Sequence, residues 1–190
     1  GGPRRAVAAP RLLRAMDTWM GLYLPDGSRV GFLNMTSTPD VHNDEVGVNL
    51  AVTSRFRISV MSMDMEVYIT GTAWIPEQRG LAEFDFQMRS GEHSMQIAAA
   101  VKEGMLDGRI LTAGEEFPFR LPVSRDLILA NGFGATTLSV PELKPGQEVM
   151  ADAFDPMTLS SGKARVKCIG EEALEIDGRL VDTTVVTTDI

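Results

Sequence analysis

VGVNLAVTSRFRISVMSMDMEVYIT, residues 46–70, decides the fold. Val48, Leu50, Val52, Phe56, Ile58 and Val60 fall at even positions, with Asn49, Thr53, Arg55, Arg57 and Ser59 between them. A period of two is the pattern of a strand with one buried face. The apolar set then moves to odd positions: Met61, Met63, Met65, Val67 and Ile69. A straight strand cannot exchange its faces midway. The switch therefore predicts a tight turn or bulge near 61–63 and a new strand running to about Trp74.

The same alternation continues on both sides. TWMGLYL (18–24) and RVGFLNM (29–35) flank the turn signal PDGS. LAEFDFQMR (81–89) sets Phe84, Phe86 and Met88 against Glu83, Asp85, Gln87 and Arg89. SGEH turns the chain into SMQIAAAV (94–101), and the Asp-Gly pair at 107–108 is a further turn candidate. EEFPFRLPV (115–123) is extended but interrupted by prolines, as suits an edge or a crossing. RDLILANGFG (125–134) is the candidate for one short internal helix, stopped by Gly132 or Gly134. KARVKCIG (163–170) places Ala164, Val166 and Cys168 on one face, and Asp177-Gly178 marks a closing hairpin. The expected fold is all-β. It is an antiparallel meander forming a curved sheet, half-barrel or barrel-like sandwich. Residues 1–17 are expected as a flexible or short helical N-terminal tail, and residues 18–190 as a single β-domain.

Composition narrows the function classes. A chain of 190 residues with 44% hydrophobic content supports a packed core. A net charge of −8 opposes binding to nucleic acid or anionic membranes, which need a basic field. No apolar run approaches the roughly 20 residues of a membrane-spanning helix. The single cysteine excludes an internal disulfide.

Reactive groups are sparse. The alternate methionines of MSMDM could hold a soft metal, yet no His or Cys stands beside them in sequence. Two readings remain for this face. Met63, Met65, Val67, Phe84, Phe86 and Met88 are core, or they form a flexible apolar face for a ligand. Cys168 sits at an apolar position, where a thiol is inert. His42, in DVHNDE, and His93, in SGEHS, read as solvated turn residues, and DVHNDE lacks the ligand spacing of an EF-hand loop. Consecutive pairs such as Glu115 and Glu116 point to opposite faces of a strand, which is poor geometry for acid–base work. The expectation is no catalytic residue, no cofactor and no metal.

Several weak motifs together resemble a known family. WMGLYLPDGSRVGF (19–32) carries Trp19, Gly21, Tyr23, Arg29, Val30 and Gly31. LKPGQEVMADAFDPMTL (143–159) carries Lys144, Pro145 and Gly146, then Phe154, Asp155 and Pro156. With GLAEFDFQMRSG (80–91) and VKCIGEEALEIDGRLVDTTVV (166–186), they resemble the β-rich, non-catalytic N-terminal region of bacterial transglutaminase-like proteins, over about 18–186. The resemblance implies a scaffold without the Cys-His-Asp machinery of the domain that follows in that family. It further implies an exported or membrane-anchored location, through a removed N-terminal segment. It implies a binding or docking role toward a protein partner or a C-terminal catalytic domain. Two alternatives stand beside it: a periplasmic carrier of a lipid or other apolar small molecule, and a structural subunit assembling through sheet edges.

Overall fold

The computed structural model describes residues 15–24, 26–60, 63–124, 127–129, 144–155, 160–176 and 179–189. Eight strands follow one another in chain order: β1 (Met16–Tyr23), β2 (Arg29–His42), β3 (Glu45–Val60), β4 (Met63–Pro76), β5 (Glu83–Ser90), β6 (His93–Lys102), β7 (Met105–Thr112) and β8 (Glu115–Pro122). Each pairs antiparallel with the next, giving one eight-stranded meander. The sheet is open, with β1 and β8 as its edges. The barrel-like form is therefore not closed. A second sheet holds β9 (Ile128–Leu129), β10 (Glu148–Asp155), β11 (Ser160–Ile176) and β12 (Arg179–Asp189), in the order β12-β11-β10-β9.

The parity switch of 46–70 has the predicted cause. β3 and β4 pair from Gly47 opposite Pro76 to Val60 opposite Met63. The chain thus reverses across two residues, and the apolar sets of the two strands meet on one face. Other hairpins turn as tightly. His42 faces Glu45 across Asn43 and Asp44, both with positive φ, and Lys102 faces Met105 across Glu103 and Gly104, again with positive φ. Two such residues in succession match the twist of the flanking strands.

Three expectations are corrected. Asp107-Gly108 is no turn but mid-strand in β7, and the chain reverses at Glu103-Gly104 instead. The glycine is there because Phe119, its direct partner on β8, lies over it; a Cβ at 108 would come within 2.3 Å of that ring. Within the segment expected to be helical, Ile128 and Leu129 form β9, a parallel partner of β10; the rest of it apart from Leu127 lies outside the described residues. No helix occurs among the described residues. Finally, β1 begins at Met16, inside the stretch read as tail; residues 1–14 lie outside the described ones.

The core runs across the inner face of the large sheet. Leu33 and Met35 of β2, Leu50 and Val52 of β3, Val67 and Ile69 of β4, Phe84 and Phe86 of β5, Ile97 of β6 and Leu106 of β7 are all buried. Burying each large apolar side chain contributes about 1.5–3 kcal/mol. Ser54 interrupts the apolar row of β3, and its hydroxyl donates to the Phe32 carbonyl at 3.0 Å. Three glycines face aromatic residues across this surface: Gly31 opposite Phe56, Gly71 opposite Phe86, and Gly108 opposite Phe119. At Gly31 a Cβ would meet the Arg55 carbonyl oxygen at 2.1 Å, so the two backbones approach closely there.

The small sheet joins this core. Phe154 is fully buried, with its ring centroid 5.9 Å from that of Phe84 and 6.2 Å from that of Phe119. Leu127 and Leu129 belong to the same cluster, and the Leu81 N–H donates to the Leu127 carbonyl at 2.9 Å. Ala164, Val166 and Cys168 of β11 are buried as the alternation predicts.

Candidate functional site

The outward residues of the large sheet form rows whose membership follows from register. One row runs Phe32, Arg55, Tyr68, Arg89, Ser94 across β2 to β6. The next along the strands runs Thr53, Thr70, Gln87, Gln96, Leu111, Glu116. A third runs Ala51, Thr72, Asp85, Ala98, Arg109, Pro118, and a fourth Asn49, Trp74, Glu83, Ala100, Asp107, Arg120. Alanines at 98 and 100 leave a low floor between taller walls. The result is a trough on the polar face. Its larger part, about 580 Å³, is lined by Trp74, Glu83, Asp85, Ala98, Ala100, Asp107, Arg109 and Glu116. A smaller part, about 420 Å³, is lined by Tyr68, Gln87, Arg89, Ser94, Gln96 and Leu111. Their linings share no residue but follow one another along the strands, since Thr70 and Thr72, Asp85 and Gln87, and Gln96 and Ala98 are successive outward positions. Six residues of strand, from the Tyr68 row to the Trp74 row, span about 20 Å.

The walls are fixed by specific contacts. Tyr68 is flanked by two guanidinium groups, Arg55 at 5.2 Å and Arg89 at 5.4 Å from the ring centroid. The Tyr68 hydroxyl donates to Glu66 at 2.8 Å, and Arg55 pairs with the same carboxylate at 2.6 Å. The hydrogen bond from Tyr68, then those from Arg55 and the charges of Arg55 and Arg57, hold the Glu66 carboxyl below the usual range. The same bond raises the Tyr68 phenol. Gln96 donates from Nε2 to both oxygens of Asp85 at 2.9 Å, which orients the middle of the trough. Asp107 pairs with Arg120 at 3.0 Å.

The far wall rests on Trp74, which is only 5% exposed although it lies on the polar face. Gly47 makes room for it, since a Cβ there would come within 2.6 Å of the indole. The His42 ring stacks over it, with centroids 4.0 Å apart. Asp40 fixes His42 at 3.1 Å and accepts from Asn49 at 2.7 Å. Arg79 grips Glu45 with two hydrogen bonds, at 2.9 and 2.7 Å. His42 is thus a wall-building residue that ends β2. His93 is exposed at the start of β6. Among the described residues no group of three or more His, Cys, Asp or Glu side chains is arranged to hold a metal ion.

The residues singled out from sequence lie elsewhere. Val67, Phe84 and Phe86 are core, packed in one cluster with Leu127, Leu129 and Phe154, and Met88 is half-buried against it. Met65 is 39% exposed beyond the end of that cluster. Met63 begins β4, but its side chain lies outside the described residues. Of the family-like motif, Trp19 is 65% exposed with its ring 5.4 Å from Phe32, and Gly21 pairs with Phe32. Pro145 and Gly146 form a turn, with Gly146 at φ 84° and the Gln147 N–H donating to the Lys144 carbonyl. Phe154 is a core anchor between the sheets. Asp155 ends β10 opposite Ser160, and Pro156 lies outside the described residues. None of these residues lines the trough apart from Phe84, which lies beneath its floor, and Met88, beneath the smaller part.

No helix among the described residues is long and apolar enough to cross a membrane. No family model matches the chain, and neither does any curated protein or solved structure.

Proposed function

We propose that this chain is a non-catalytic binding module whose ligand is an extended polypeptide segment lying along the trough. The observation that carries the reading is the polarity of the trough: Arg89 beside Tyr68 at one end, Glu83, Asp85, Asp107 and Arg109 at the other, and between them the row that holds the amides of Gln87 and Gln96 with Glu116. An extended peptide rises about 3.3 Å per residue, so about 20 Å takes six residues. A peptide also carries opposite charges at its two ends. Sugar rings, by contrast, stack on open aromatic faces. Here Trp74 is covered by His42, and Tyr68 is flanked by arginines.

Absence of catalysis is part of the proposal. It is supported by the full burial of Cys168 in the small sheet and by the wall-building role of His42. The resemblance over about 18–186 supports a docking role beside a transglutaminase-like enzyme in an extracytoplasmic compartment. The apolar-carrier alternative draws its support from Met65 and the half-buried Met88, because Val67, Phe84 and Phe86 are occupied as core. Two edges that pair with no further strand among the described residues, β1 and β8, support the assembly alternative. Two prolines in β8, Pro118 and Pro122, weigh against that edge.

The test is selection from a synthetic randomised hexapeptide library, followed by fluorescence polarisation with the enriched members. Ala98→Trp fills the floor without touching the inner core. The expected result is enrichment by the wild-type protein and loss of binding by A98W at unchanged thermal stability. Equal binding by A98W, or no enriched peptide, would refute the reading.

A further inference from the structure

Resting on the peptide-binding reading, we propose that the smaller part of the trough is a carboxylate-recognition pocket, with Arg89 as the residue that reads the charge. The inner end of this pocket has an asymmetry that the larger part lacks. Its lining contains one charged side chain, Arg89, and no carboxylate. Its neutral polar lining groups are the hydroxyls of Thr70 and Ser94, the amides of Gln87 and Gln96, and Tyr68, and Met88, Met95 and Leu111 supply its apolar part.

Neighbouring arginines are spent differently. Arg55 is paired with Glu66 at 2.6 Å, and Arg57 lies 3.8 Å from the same carboxylate. Arg89 is held only by its place 5.4 Å from the Tyr68 ring centroid, with no carboxylate in ion-pair range among the described residues. A guanidinium held against an aromatic ring loses little further freedom on binding, and its planar fork matches a carboxylate two-pronged. Ser94, the direct cross-strand partner of Arg89, stands beside it as a hydroxyl donor. A single positive charge with neutral donors suits a singly charged planar anion. A doubly charged phosphate would call for a second uncompensated cation, and Arg55 is already neutralised by Glu66. Gln96 turns its Nε2 to Asp85 and leaves that carboxylate charged, but Asp85 stands four residues from Arg89 along β5, about 13 Å away.

The carboxylate has two sources in a peptide, the chain terminus or an Asp or Glu side chain. Three versions of one enriched hexapeptide separate them: free C-terminus, amidated C-terminus, and amidated C-terminus with Asp as the last residue. The proteins are wild type, R89Q and R89K, all full chain. For wild type, the amidated neutral peptide should bind about ten- to a hundredfold more weakly than the best carboxylate-bearing one, as expected for a charge-assisted pair. Whichever of the two carboxylate peptides binds more tightly names the source. R89Q should bind all three equally, at the level of the neutral peptide, and R89K should keep part of the preference. Retention of the full preference by R89Q, or no preference in wild type, overturns the assignment to Arg89 while leaving the trough reading standing. No measurable binding of any version to wild type overturns both. Arg89 is exposed, so its variants should melt with the wild type; a melt shifted downward in R89Q with the preference intact would count against the assignment as well.

Discussion

Replacing Gly71 with alanine should destabilise the protein, although alanine is ordinarily the better strand residue. Glycine in a strand costs about 0.5–1 kcal/mol relative to alanine, so an open site would gain from the change. Gly71 is not open. Its added Cβ would stand 1.8 Å from Phe86 Cδ1, 2.3 Å from Cε1 and 2.8 Å from Cγ. The ring must move, yet Phe86 is 2% exposed, packed in the core cluster with its centroid 5.4 Å from that of Phe84. Overpacking of this kind costs about 1–3 kcal/mol. A side chain driven off its rotamer adds about 0.5–1.5 kcal/mol. The net expectation is a loss of about 1–3 kcal/mol, read by urea unfolding followed through circular dichroism. For a chain of this size that lowers the melting temperature by about 2–10 °C. The contact is isolated by a double-mutant cycle with Phe86→Leu, since the smaller side chain leaves room for the methyl group. G71A should then cost less in the F86L background, with a coupling of about 1 kcal/mol or more. A neutral or stabilising G71A, additive with F86L, would refute the claim that Phe86 fills the space over Gly71.

Two further outcomes test other joints of the account. Phe154→Ala removes the ring that touches both Phe84 and Phe119, and should cost about 3–5 kcal/mol, measured by the same unfolding assay; a cost below about 1 kcal/mol would mean that the small sheet is not anchored there. Glu66 has a depressed carboxyl in the folded chain, so its contribution to stability is full above its ordinary value of 4.5 and is lost as the pH falls through the depressed one. Wild type should exceed E66Q in stability at pH 6, with the difference shrinking as the pH falls below 4.5; a pH-independent difference would contradict the Tyr68–Glu66–Arg55 arrangement.

Much of the fold is legible in the sequence because strand alternation is a local signal. The move of the apolar set from even to odd positions at 60–63 locates the β3–β4 hairpin without any tertiary information. Prolines 118 and 122 mark β8 as an edge, since a proline cannot donate to a ladder. Burial of Ala164, Val166 and Cys168 follows from the lysines and arginine between them. Asp107-Gly108 misleads because a turn and an aromatic-covered strand glycine share one local signature. Only the partner strand, with Phe119 opposite, separates them.

The trough could not be read in the same way. Arg89 and Ser94 lie 21 and 26 residues beyond Tyr68 in sequence and join its row through two registers. Each is an unremarkable outward residue of its own strand. The trace that sequence does hold is the pair of alanines at 98 and 100, at outward positions where strands elsewhere in the chain carry charge. Phe154 stands beside Asp155 and Pro156, a pair that marks a turn in sequence, whereas its ring is buried between the sheets. Alternate methionines drew attention to the inner face, but Val67 and Phe86 on that face are filled by packing.

The most direct measurement is methyl NMR of the full chain, labelled at alanine, isoleucine and methionine, titrated with an enriched hexapeptide. The Ala98 and Ala100 methyls should shift together and saturate, while those of Ile69 and Ile97 in the core stay in place. Saturable shifts at Ile69 and Ile97 with Ala98 and Ala100 unmoved would place the ligand on the apolar face and contradict the account.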